Sequence, residues 1–216
     1  YLDGGMIPNR FPDLGEKPEY NTIDATLWLF VALHEYHEQF HDVEFIRSFF
    51  GKLTEIINAH YAGTRYNIHV TPEGLLYGGQ DGTQLTWMDA KVGDYVVTPR
   101  IGCPVEINAL WFNALSVYVS FGNLLGFPVS GYVQKLKDLK SVFRSHFINE
   151  KGYLNDVVIP GHKADETIRP NQVYAISLPF SPLTNTEAKR VLDVVHQHLY
   201  TEYGLRSLSP FHPDFK

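Results

Sequence analysis

Val105 to Leu125 reads VEINALWFNALSVYVSFGNLL, and from Ile107 to Gln134 no charged residue occurs. A run of that length suits a bilayer span or a helix buried around most of its circumference. Asn108, Asn113, Ser116, Ser120, Asn123, Gly126 and Pro128 would load a lipid-facing helix with polar or breaking groups, so the sequence points to a soluble fold that wraps this helix in protein. A second such segment precedes it. Asp24 to about Phe40 is apolar on almost every side through Leu27, Trp28, Leu29, Phe30, Val31, Ala32 and Leu33, with Asp24 placed to cap its start. An amphipathic helix follows each of them: Asp42 to Tyr61, with Phe45, Ile46, Phe49, Phe50, Leu53, Ile56 and Ile57 at helical spacing, and Gly131 to Phe147. The couplet returns as Pro170 to Phe180, then Thr184 to Tyr200. Three helical hairpins result.

The connections repeat as well. A glycine with apolar residues after it occurs at Gly5-Met6-Ile7, Gly74-Leu75-Leu76, Gly152-Tyr153-Leu154 and Gly204-Leu205. The buried helices also echo one another, with Glu106-Ile107-Asn108-Ala109-Leu110-Trp111 laid over Arg169-Pro170-Asn171-Gln172-Val173-Tyr174. Alternating buried, or inner, and half-wet, or outer, helices fit an all-α toroid of the (α/α)6 kind. About three of its hairpins are present, with long loops and short strands gathered at one end. The pattern starts and stops part-way, which implies that residues 1–216 are part of a single domain. The loop-rich end is the expected functional end.

Composition narrows the partners. The chain has 216 residues, a formal charge of -6, and 3 Trp, 13 Tyr and 14 Phe. Phosphate-binding surfaces need a basic excess, so nucleic acid is not an expected partner. A single cysteine, Cys103, can form no internal disulfide and suits a reducing, cytoplasmic setting.

The chemistry-bearing side chains collect at the loop-rich end. Loop 62–104 carries Tyr77, Asp81, Trp87, Asp89, Asp94 and Arg100; the inner-helix starts add Asn21, Asp24, Glu106, Arg169, Asn171 and Gln172. Hydrolysis of a glycosidic bond needs one protonated carboxyl for the leaving oxygen and a second carboxylate to activate water or attack carbon. Aromatic faces and fork-like Arg, Asn and Gln side chains suit sugars. Asp89 has Trp87 and Met88 beside it, surroundings of the kind that keep a carboxyl protonated. The bland alternative makes Asp24, Asp89 and Glu106 helix caps and loop acceptors, with Trp87 plugging the ring.

Six strings carry a resemblance: Gly4-Gly5-Met6-Ile7-Pro8-Asn9-Arg10-Phe11, Tyr20-Asn21-Thr22-Ile23-Asp24-Ala25-Thr26-Leu27-Trp28, Thr86-Trp87-Met88-Asp89-Ala90-Lys91, Pro104-Val105-Glu106-Ile107-Asn108-Ala109-Leu110-Trp111, Arg169-Pro170-Asn171-Gln172 and Leu205-Arg206-Ser207-Leu208. Together they resemble the C-terminal amylo-α-1,6-glucosidase domain of glycogen debranching enzymes, the bacterial and archaeal type in particular. The resemblance implies an (α/α)6 barrel without cofactor or metal. It also implies inverting hydrolysis of the α-1,6-linked glucose at branch points of glycogen or another branched α-glucan. Asp89 matches the family's general acid. Asp24 and Glu106 match groups lining the glucose pocket, and Arg10, Asn21, Trp87, Arg169 and Gln172 fall within the matching strings as substrate-binding candidates. The family's base is a Glu in a loop beyond the Leu205–Leu208 string, with no counterpart in these residues. The expectation is therefore an incomplete and inactive part of the barrel, whose apolar edges associate with the remainder or with a second copy.

Two other classes compete. One is a helical toroid that binds glycans without catalysis. The other is a zinc peptidase, because His37-Glu38-Gln39-Phe40-His41 is a formal H-E-x-x-H match, with His34 on the same face. The string falls at a helix end beside a tight turn, and three histidines in a row along one face do not make the cup that zinc prefers.

Overall fold

A computed structural model describes residues 1–215. Its helices are α1 (Ala25–Phe40), α2 (Val43–Ala62), α3 (Val105–Leu125), α4 (Ser130–Phe147), α5 (Tyr174–Ser177) and α6 (Asn185–Leu199). The charge-free stretch is α3, and Val105 to Tyr118 is buried without interruption. Helix α3 packs against α1, α2, α4 and α5. The full burial of Trp111, Phe121 and Leu110 against Phe30, Leu27 and Leu53 stabilises the fold by about 1.5–3 kcal/mol per large side chain. The outer helices each bury one stripe: Ile46, Phe50, Leu53 and Ile57 on α2; Leu139, Phe143 and Phe147 on α4; Val191, Val195 and Leu199 on α6. No helix among the described residues is long and apolar enough to cross a membrane.

Side chains cap α2 and α6, whereas the start of α1 departs from the sequence reading. The Asp42 side chain accepts from the Phe45 N–H at 3.0 Å, and Thr184 with Glu187 forms a reciprocal capping box on α6. Asp24 stands at the N-cap of α1, yet its side chain caps nothing. Thr22 takes that role instead, accepting from Ala25 N–H at 3.3 Å while donating to Asp24 Oδ1 at 2.5 Å. The Asp24 carboxylate is thereby left for other partners.

The third inner helix is much shorter than its sequence suggests. A 3₁₀ turn, Pro170–Val173, runs into the four-residue α5, and the chain becomes extended at Leu178. Leu178 precedes Pro179, whose ring disfavours helical backbone in the residue before it. The extended segment is strapped to α3 by a bond from Phe180 N–H to Asn113 Oδ1 at 3.2 Å.

Each repeated glycine sits in a tight turn at positive φ: Gly5 (77°), Gly74 (99°), Gly152 (85°) and Gly204 (137°). Three of these turns lie in the loops after the outer helices. They close the antiparallel pair β1 (His69–Val70) with β2 (Leu76–Tyr77), the bridge of Ile148 to Leu154, and the pair of Tyr200–Thr201 with Gly204–Leu205; the Gly5 turn closes Asp3 to Met6. Two residues past the first three glycines, a backbone N–H is caught by a side chain of the next inner segment. Ile7 donates to Thr26 Oγ1 (3.0 Å), Leu76 to Asn108 Oδ1 (2.8 Å) and Leu154 to Gln172 Oε1 (3.2 Å). The repeat is thus real, but the register of its third copy slips: Gln172, not Asn171, takes the place of Asn108.

Candidate active site

The loop between β2 and α3 is led back to the inner-helix starts by two short pairings. Gly78 bridges Gly102, and Cys103–Pro104 pairs antiparallel with Val157–Val158. A further bond, Ile23 N–H to Leu85 O at 2.8 Å, ties this loop to the segment entering α1. Between them lies a cavity of about 270 Å3 lined by Asn9, Asn21, Thr22, Asp24, Gln84, Leu85, Thr86, Trp87 and Asp89. Four of the side chains singled out in the sequence, Asn21, Asp24, Trp87 and Asp89, therefore share one cavity. Asp89 is exposed, so Trp87 and Met88 do not enclose it among the described residues. Trp87 is 46% exposed and open to the cavity, not a plug.

Beneath Trp87 runs a buried polar network. The indole N–H donates to Asn171 Oδ1 (2.8 Å), and Asn171 Nδ2 donates to Asp156 Oδ1 (2.7 Å). Asp156 accepts from Arg100 Nε at 3.0 Å, and Arg100 pairs through both terminal nitrogens with the Glu106 carboxylate. Arg100, Glu106, Asp156 and Asn171 are all buried. Burial pushes the Glu106 and Asp156 carboxyls up, against the pull of Arg100. One guanidinium does not fully offset two buried acids, and the second cation, Arg169, stands further off, with Nε 3.6 Å from Asp156 Oδ2. Burial opposes the Arg100 charge, but Glu106 and Asp156 outweigh it and hold the guanidinium ionised.

The remaining candidates lie outside the cavity. Glu106 is 2% exposed and spends its carboxylate on Arg100, so it reaches the cavity only through the network. Arg169 also donates to Ser207 O at 3.2 Å. Gln172 is buried, bonding Leu154 N–H and Arg169 O. Arg10 is exposed and pairs with Glu16 at 2.7 Å; its neighbour Asn9 lines the cavity instead. Asp156, the hub of the network, went unnoticed in the sequence. Its one signal is position, immediately before the strand that pairs with Cys103–Pro104 and hence beside the start of α3.

The histidine string lies at the opposite end of α1, roughly 20 Å along the axis from Asp24. His41 closes the helix in a left-handed conformation, and His34 packs on Phe180. Among the described residues no three His, Cys, Asp or Glu side chains come together to hold a metal.

A family model described as amylo-alpha-1,6-glucosidase matches residues 1–216. No curated protein matches the sequence significantly. Solved structures share the fold, two among them as follows. An uncharacterized conserved protein from Thermus thermophilus aligns with a TM-score of 0.64 at 13% identity over 99% of this chain and 64% of its own. A rhamnosidase from Klebsiella oxytoca with rhamnose bound aligns with a TM-score of 0.60 at 12% identity over 90% of this chain. This chain spans 34% of the rhamnosidase and just under two thirds of the Thermus protein.

Proposed function

The chain belongs to the amylo-alpha-1,6-glucosidase family, and on that premise we propose that it contributes to a helical toroid hydrolysing α-1,6-linked glucose at branch points of glycogen or a related α-glucan. The setting we assign is the cytoplasm, where a lone buried thiol such as Cys103 stays reduced. One observation carries the reading: Asp24, Asp89, Asn21 and Trp87 line a single cavity at the inner-helix starts. In this reading Asp89 is the general acid that protonates the leaving oxygen. Asp24, released from capping by Thr22, binds glucose hydroxyls, and Trp87 presents its ring to the sugar. The base that activates water is, by the resemblance, a Glu in a loop following the Leu205–Leu208 string. The buried Glu106–Arg100–Asp156–Asn171 network holds Trp87 in place.

The test is release of glucose from a branched limit dextrin by a protein that also carries the base-bearing loop following the Leu205–Leu208 string, with the product anomer followed by NMR. Inversion gives β-glucose first. Asp89→Asn lowers turnover by about 10²–10⁴-fold while dextrin still binds; an Asp89→Asn protein that retains turnover defeats the assignment. The exposure of Asp89 favours one second reading, a toroid that binds glycans without cleaving them. Dextrin binding with no glucose release by that longer protein would establish this reading.

A further inference from the structure

We propose that a second cavity beside the candidate active site, lined by Pro18, Glu19, Tyr20, Asn21, Arg65 and Tyr66, binds the glucan chain that carries the branch. The inference rests on the glycan reading above and deepens it. The cavity measures about 360 Å3 and shares Asn21 with the first. Each alone is at or near the lower end of ligand-site size, and together they suit a ligand longer than one sugar.

The backbone at this cavity is unusual. Tyr66 and Asn67 are consecutive non-glycine residues at positive φ, 58° and 60°. Such conformations carry strain and concentrate where function demands a fixed side chain. The surroundings hold the turn in place: Gly79 N–H donates to Tyr66 O at 3.0 Å, Ile68 N–H to Arg65 O at 3.1 Å and Thr64 N–H to Ile68 O at 2.8 Å. Gly79 opens the loop that continues to Trp87, so the strained turn and the active-site loop are one connected structure.

The chemistry of the lining selects the ligand class. Arg65 lies over the Tyr20 ring, 4.5 Å from its centroid, and its guanidinium pairs with the Asp3 carboxylate. Its charge is therefore already answered, and that of Glu19 is met by Arg10, whose Nη2 stands 3.6 Å from Glu19 Oε1, so neither lining charge is left to draw an ionic ligand. What remains is the ring and hydroxyl of Tyr66, the amide of Asn21 and the acceptor oxygens of Glu19. A flat apolar face flanked by neutral donors and by acceptors suits a neutral polyhydroxylated chain of glucosyl units.

The experiment compares glucose with a maltotetraose bearing one α-1,6-linked glucosyl branch, using calorimetric titration of wild type, Tyr66→Asn and Tyr66→Gly. Both substitutions tolerate left-handed backbone, and thermal melts verify their folding. The expected result is an affinity for the branched saccharide about tenfold weaker in both variants, with the affinity for glucose changed less than about twofold. Unchanged affinity for the branched saccharide overturns the second site alone. An equal loss for glucose also overturns it, by placing the ring in the first cavity. Wild-type protein that binds neither saccharide overturns the glycan reading as well.

Discussion

Trp87 and Asn171 are joined by an indole N–H donating to an amide oxygen at 2.8 Å across 84 residues of sequence. The bond fixes the amide's orientation, because the indole can only donate and the Asp156 carboxylate on the far side accepts. Asn171 is thus the one residue type of its size that serves both neighbours. Asn171→Asp sets a carboxylate against a buried carboxylate and is expected to cost more stability than Asn171→Ala, which should cost about 1–3 kcal/mol. Urea denaturation measures both. In the Ala variant the Trp87 indole resonance in a ¹H–¹⁵N spectrum should move, while those of Trp28 and Trp111 stay.

Removal of Arg100 leaves Glu106 and Asp156 buried without their principal cation. Arg100→Leu is expected to lose about 3–5 kcal/mol at pH 7. The sign of the pH dependence follows from the raised carboxyls. Between the ordinary carboxylate pKa and the raised one, the folded state holds more protons than the unfolded state, so stability falls as pH rises through that window. The variant should therefore recover part of its loss on acidification toward about pH 5, and denaturant midpoints at the two pH values test this.

Glu187 gives the opposite sign. Partial burial raises its carboxyl, but Arg144 (Nε at 3.0 Å) and Thr184 outweigh that and hold it below the ordinary range. Its contribution is present above the unfolded carboxyl pKa and is lost as pH falls through the folded value. Glu187→Gln should be about 1 kcal/mol less stable than wild type at pH 7, with the gap closing toward about pH 3. Thr184→Ala should cost about 1 kcal/mol through the lost cap.

Two of the repeated glycines should respond unequally to alanine. At Gly5 an added Cβ would stand 2.1 Å from the Ala59 Cβ, whereas at Gly74 nothing lies within 4 Å. Gly74→Ala bears only the cost of its left-handed backbone, about 1–2 kcal/mol. Gly5→Ala adds overpacking and should lose about 3 kcal/mol or more. Thermal melts that rank the two the other way would contradict the packing of this turn on α2.

The sequence discloses whole helices better than it discloses their partners. Helix α3 is legible because a charge-free stretch beside an amphipathic one has few physical outcomes, and the hairpin glycines because positive φ leaves few residue choices. The third inner helix misleads, since Asn171 and Gln172 look like its first turn while Pro179 and Pro182 cut it short. At the cavity, Asp24, Trp87 and Asp89 are legible as an acidic and aromatic mouth. Asp156 is not, because its meaning comes from Arg100, 56 residues away, and no local pattern encodes that distance. Glu106 looks equivalent to Asp24 in sequence, but Glu106 is buried against the Arg100 guanidinium while Asp24 lines the cavity.

The three backbone clamps, Ile7 to Thr26, Leu76 to Asn108 and Leu154 to Gln172, span 19, 32 and 18 residues. Loop closure at such separations is fast and its entropic cost grows only with the logarithm of length. Each turn can therefore close on its own inner segment by a short-range step that does not depend on the other two clamps. The middle clamp, with the loop that carries Trp87 and Asp89 within its span, has the longest closure of the three.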